Sequence, residues 1–115
     1  MIKRKLDKYY GEVPLHIKGP NKGRIDRKKL SIHFGFTVDE IFKAYWNWQE
    51  IFRYEDSDLT FHAYLNKLKH AGLTPKDVGN DPGKYNLSRY NDEGSYTDKN
   101  CRFITREENL AEQKH

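Results

Sequence analysis

Ile41, Ala44, Tyr45, Trp48, Ile51 and Phe52 recur at three- and four-residue steps, the spacing that lays one apolar stripe along an α-helix. Immediately before them, Thr37-Val38-Asp39-Glu40 has the form of a capping box, in which a Thr hydroxyl and a Glu carboxylate satisfy the amides left open at a helix start. The pattern predicts a helix from this point to near Tyr54. After Glu55-Asp56-Ser57-Asp58, the positions Leu59, Ala63, Leu65, Leu68 and Ala71 predict a second helix, with Gly72 placed to stop it. Thr74-Pro75-Lys76-Asp77 reads as a single capped turn.

Period-two alternation predicts strands elsewhere. Val13, Leu15 and Ile17 alternate with polar neighbours, as do Leu30, Ile32 and Phe34, and the turn-forming stretch Gly19 to Arg24 lies between them. Tyr85 and Leu87 alternate in the same way, then Cys101, Phe103 and Thr105, with turn residues Asn91-Asp92-Glu93-Gly94 between. Thr105-Arg106-Glu107-Glu108 is a further capping box and opens a terminal helix holding Leu110. These elements predict one small α+β domain. Residues 1–34 form a basic leader, arm or short hairpin, residues 35–83 a helical segment, and residues 84–115 a hairpin-helix unit.

Composition decides whether such a chain can close a core. Hydrophobic residues make up 36% and charged residues 33%, a balance near that of disordered chains. Eight Tyr, six Phe and two Trp supply the large apolar surfaces that a short chain needs. The net charge of +4 is unevenly spread: residues 1–34 hold ten Lys and Arg against three acidic residues, which leaves the remainder at −3. A basic third of this kind attracts a phosphate backbone. Lys22, Arg24, Arg27, Lys28 and Lys29 are its candidate nucleic-acid contacts, and a solvated basic tail is the equal alternative. Cys101 is the single cysteine, which excludes an intrachain disulfide and a four-thiolate zinc site and fits a reducing cytoplasm. No window approaches the ~18 apolar residues that span a bilayer, so a soluble, unprocessed protein without a membrane partner is expected.

The most specific segment is KYNLSRYNDEGSYTDKNCRFITREENLAEQ, from Lys84 onward. Leu87, Arg89, Gly94, Tyr96, Asn100, Cys101, Arg102, Thr105 and Glu108 fall in register, without a gap, with the tail of an HNH-like nuclease group of phages and bacteria. The chain resembles that group over its last quarter. The resemblance implies a ββα unit clasped around a divalent ion, Mg²⁺ first and Mn²⁺ or Zn²⁺ otherwise. Such an ion stabilises charge developing on a phosphate while a base activates water. It also implies an endonuclease or nickase acting on DNA in the cytoplasm of a bacterial host, phage-encoded, with a homodimer as the form that would cut both strands.

Carried over residue by residue, the resemblance puts Asn100 at the later metal-ligand position. Ser88 stands where many relatives have the ligand Asp, and Arg89 stands where the usual motif has its His. Arg89 clamps a phosphate well but is a poor proton acceptor. Asp92, in the turn, is the candidate carboxylate ligand, and His62 is the candidate replacement base, since imidazole suits that task near neutral pH. Arg89, Ser88 and His62 are thus the candidate catalytic residues, Asp92 and Asn100 the candidate metal ligands, and Arg102 a further phosphate contact.

Each has a plainer reading. Arg89 and Arg102 could pin the hairpin through carboxylates such as Asp92 or Glu108, and Asn100 could hold the turn through backbone hydrogen bonds. Cys101 reads as a small buried strand residue rather than a nucleophile. His62 and His70, eight residues apart, are too distant on a helix to share one ion as an i, i+4 pair does. Trp46 and Trp48 cannot both face one core, so one is left for a partner, a nucleobase or a second layer. The departures at Ser88 and Arg89 favour an alternative function: a non-enzymatic protein that keeps the hairpin as a scaffold for gripping DNA or a protein partner. A protein partner would exploit the charge asymmetry.

Overall fold

A computed structural model describes residues 9–54, 57–90 and 93–113. In chain order the elements are α1 (Arg27–Phe34), α2 (Val38–Tyr54), α3 (Phe61–His70), a 3₁₀ turn (Pro75–Asp77), β1 (Tyr85–Arg89), β2 (Cys101–Thr105) and α4 (Arg106–Gln113). The fold is α+β, with three helices preceding an antiparallel hairpin that a fourth helix closes.

The longest helix forms as its periodicity predicts. Thr37 N donates to Glu40 Oε1 at 2.8 Å and Glu40 N donates to Thr37 Oγ1 at 3.1 Å, which completes the capping box. Ile41, Ala44, Trp48 and Phe52 are buried along one face of α2. Trp48 is the centre of the core: it is fully buried, its ring lies 5.1 Å from Phe52 and 5.3 Å from Phe61, and its Nε1 donates to Leu59 O at 2.8 Å. The hydrogen bond matters because a buried indole N–H without a partner carries a desolvation cost of about 1–3 kcal/mol. Trp46, two residues away, points outward at 55% exposure.

The second helix starts later than its apolar spacing implies. Thr60 caps α3 by accepting from Ala63 N at 3.0 Å, so Leu59 is buried ahead of the helix and Ala71 is its exposed cap. Phe61, Tyr64, Leu65 and Leu68 form the buried face.

Residues 30–34 depart from expectation. Alternation of Leu30, Ile32 and Phe34 predicts a strand in a leader spanning residues 1–34, whereas residues 27–34 are helical and belong to the core. Leu30 and Phe34 are buried four residues apart, while Ile32 is 76% exposed; a period of two in sequence conceals an i, i+4 pair. Both helix ends are encoded. Asp26 accepts from Lys29 N at 3.1 Å, and Gly35 takes the left-handed conformation that ends helices, with φ 75°. Ahead of α1, an isolated bridge joins Leu15 to Ile25 and Asp26 N donates to Pro14 O at 2.9 Å, so the chain doubles back over residues 14–26 instead of pairing residues 13–17 with residues 30–34.

β1 and β2 pair from Tyr85–Thr105 to Arg89–Cys101. One face of the hairpin enters the common core: Cys101 is buried, Leu87 packs beside it, and Phe103 meets Tyr64 at 5.4 Å. Further bonds fix the hairpin on the helices, with Asp58 N donating to Tyr96 O at 3.1 Å and Gly79 N to Tyr85 O at 3.1 Å. One hydrophobic cluster runs from Val13 to Cys101, so the three sequence segments share a core. The predicted capping box at Thr105 is present, with Glu108 N donating to Thr105 Oγ1 at 3.2 Å and Thr105 N to Glu108 Oε1 at 3.2 Å.

Candidate nucleic-acid interface

On the hairpin, the motif side chains are engaged within the hairpin and its loop. Asn100 Nδ2 donates to Glu93 O at 2.8 Å and to Ser95 O at 3.0 Å. Its backbone carbonyl accepts from Tyr90 N at 3.1 Å. One residue thus ties the loop back onto the strand ends. Arg89 Nη1 donates to Gly94 O at 2.7 Å, and its guanidinium lies 5.3 Å from the Tyr96 ring centre. Ser88 is 5% exposed and its Oγ donates to Asn109 Oδ1 at 2.9 Å, which joins β1 to α4. Arg102 stacks over Tyr90 at 4.2 Å.

These contacts bear on whether a divalent ion fits. A hard cation is held by several oxygen ligands with enough negative charge among them. Around the hairpin, Ser88 and Asn109 present neutral oxygens already bonded to one another, and Asn100 directs its amide hydrogens at carbonyls. Asp92, the expected carboxylate, lies outside the described residues. Among the described residues no three His, Cys, Asp or Glu side chains gather as a metal-holding group. The described donor set does not fit a divalent-ion site.

Cys101 is equally unsuited to nucleophilic chemistry. Burial raises its thiol from the ordinary 9.0 to about 11; Lys67 pulls it down by less, and Asp98 adds to the rise. A thiol of that kind carries almost no thiolate near neutrality. Burial likewise pushes the Tyr64 hydroxyl upward.

Beside the hairpin, α3 and β2 enclose a groove of about 620 Å³ lined by His62, Asn66, Lys67, His70, Asp98, Arg102 and Phe103. His62 stands in the first turn of α3 at one end of this wall, its Nδ1 3.3 Å from Asn66 Nδ2 and its ring 5.8 Å from Phe34. Although His62 and His70 are eight residues apart, both line this groove. Lys67 is held to Asp98 Oδ1 at 3.2 Å.

The remaining predicted contacts stand at the opposite end of the chain. Lys22 and Arg24 are exposed in the short hairpin, and Arg27, Lys28 and Lys29 occupy the exposed first turn of α1. Arg27 lies 5.1 Å over the Phe42 ring. Sequence reasoning passed over Phe42, Tyr90 and Asn109. Phe42 had a usable signal, because it lies four residues before Trp46 on the polar face of α2 and therefore shares that residue's exposure. No known family, curated protein or solved structure matches the chain. Among the described residues no helix is long and apolar enough to cross a membrane.

Proposed function

We propose that the protein binds DNA through cations carried on α1 and the short hairpin before it, using an HNH-like hairpin-helix unit as a scaffold rather than a cutting site. One observation carries this reading. Arg27, Lys28 and Lys29 fill the first turn of α1, which holds no acidic residue, whereas α2 and α4 begin with Asp39, Glu40 and with Glu107, Glu108. The positive end of the helix dipole disfavours each cation there by about 0.3–1 kcal/mol. The Asp26 carboxylate that caps the helix sets one negative charge against these three cations, so a polyanion lying against this turn adds the balancing charge and turns the local penalty into affinity. The resemblance over residues 84–115 supports DNA as that polyanion, in the cytoplasm of a bacterial host.

The test is duplex-DNA binding across a salt series, with the Arg27→Glu, Lys28→Glu, Lys29→Glu triple variant alongside. Log affinity should fall linearly with log salt, and the variant should flatten the slope by about 0.9 for each phosphate that it no longer neutralises. Equal affinity and slope in both proteins would overturn the proposal.

A second reading, a metal-dependent endonuclease or nickase, has one observation in its favour: His62 and Arg102, a base and a phosphate clamp by type, line one groove. Supercoiled plasmid incubated with Mg²⁺, Mn²⁺, Zn²⁺ or EDTA separates the two. Ion-dependent nicking that is lost in folded His62→Ala, Arg89→Ala and Asn100→Ala variants would replace the binding reading. Plasmid left intact with every ion, by protein that still binds it, supports the binding reading.

A further inference from the structure

Between the short hairpin and the outer face of α2 lies a cleft of about 290 Å³ walled by aromatic rings and two arginines, Arg24 and Arg27. Trp46 is 55% exposed and Phe42 46% exposed on its rim. Most of the chain's large rings close the core, yet these two stand side by side in solvent. Their centroids are 6.1 Å apart at an interplanar angle of 64°, an edge-on pairing that props the indole without stacking on it. Arg27 lies over Phe42 at 5.1 Å, so its charge stands at the mouth of the cleft. Deeper in, the hydroxyls of Tyr10 and Tyr45, 3.1 Å apart, give the wall a polar edge.

We infer that this cleft is a stacking site for an unpaired base of single-stranded DNA, with Trp46 as the platform and Arg24 and Arg27 on the adjoining phosphates. The inference takes its class of partner from the DNA-binding reading and its strandedness from the cleft itself. The volume is near the lower end of small-ligand sites, ~300–1,000 Å³, and suits one planar ring system rather than a base pair. Every nucleotide places an anion beside a flat ring, and that is the pairing of charge and aromatic surface found here. Bases in a duplex are already stacked on one another, so only an unpaired base presents its face to an indole.

The two tryptophans make the test direct in the intact protein. Trp48 is fully buried and reports folding, while Trp46 reports the cleft. Oligothymidine should quench the exposed indole and leave the buried emission in place. Trp46→Ala should weaken oligothymidine binding roughly 5- to 100-fold, Trp46→Phe should retain most of it, and duplex binding should stay within about twofold. Unchanged oligothymidine affinity in folded Trp46→Ala, with duplex binding intact, would overturn the stacking site and leave the DNA-binding reading standing. Failure to bind either form of DNA would overturn both. Tighter, Trp46-dependent binding of an acidic peptide containing aromatic residues would overturn the inference in favour of a protein partner.

Discussion

The hairpin-helix unit of residues 84–113 and the face built from residues 24–46 divide the roles in a way that their sequences conceal. The first carries the most specific motif in the chain, yet Asn100, Arg89 and Ser88 direct their polar atoms at Glu93, Ser95, Gly94 and Asn109 within the same unit. The second contains no motif of comparable specificity, yet it presents Arg24, Arg27, Lys28, Lys29, Phe42 and Trp46 outward. Specificity of sequence records how tightly a local structure is determined. A loop that must return onto a two-stranded hairpin needs particular residues at particular positions, whereas a surface that grips a polyanion needs only charge and flat rings.

That contrast can be broken in several ways. The largest effect should come from the core that both regions share: Trp48→Ala should cost about 3–5 kcal/mol and lower the urea midpoint for hairpin and helices together. Loss of only one region would show them to be separate units. Next, Gly94→Ala should cost about 1–3 kcal/mol, because Gly94 has φ 78° and a Cβ there would meet the hydrogen-bonded Asn100 Nδ2 at 2.9 Å. Thermal denaturation measures it, and an unaffected midpoint would show that Asn100 does not hold the loop. Ser88→Ala removes the donor to Asn109 and should cost about 1 kcal/mol. Should the Ser88→Ala protein instead lose DNA cleavage while keeping its stability, the hairpin is a reaction site after all.

Two smaller effects sharpen the comparison. The Cys101 thiol is raised from 9.0 to about 11 by burial, so the unfolded chain ionises first as pH rises. Its contribution to stability is fully present below pH about 9 and is lost as pH climbs towards 11. Urea midpoints across that range should fall less steeply in Cys101→Ala, and an equal decline in both proteins would show that the thiol titrates as if exposed. The smallest change is the most informative about function. Lys28→Glu should raise stability by about 0.3–1 kcal/mol while weakening DNA binding; stabilisation without any loss of binding would leave the charged turn of α1 unexplained.

Much of the fold was legible in the residues. The capping boxes at Thr37 and Thr105 and the capped turn at Thr74 stand where their spacing placed them, because capping is a local interaction between residues three apart. The stripe on α2 and the two strands of the hairpin were equally readable, since a helix and a strand impose different periods on burial. Residues 30–34 were not readable by alternation: Leu30 and Phe34 satisfy both periods, and only the exposure of Ile32 tells them apart. At the hairpin, residue types left open whether Asn100 faces a ligand or its own loop, because an amide can do either.

By itself, then, the sequence determined the α+β class, the cap positions, the hairpin and the uneven distribution of charge, all set by residues close together along the chain. Tertiary structure alone decided that Trp48 is the buried indole and Trp46 the open one, and that Arg24 and Arg27 stand at an aromatic cleft. It also placed His62 and Arg102 in one groove. Those relations join residues far apart in sequence, and the order of residues along a chain carries no local signal for which distant side chains a packed core will bring together.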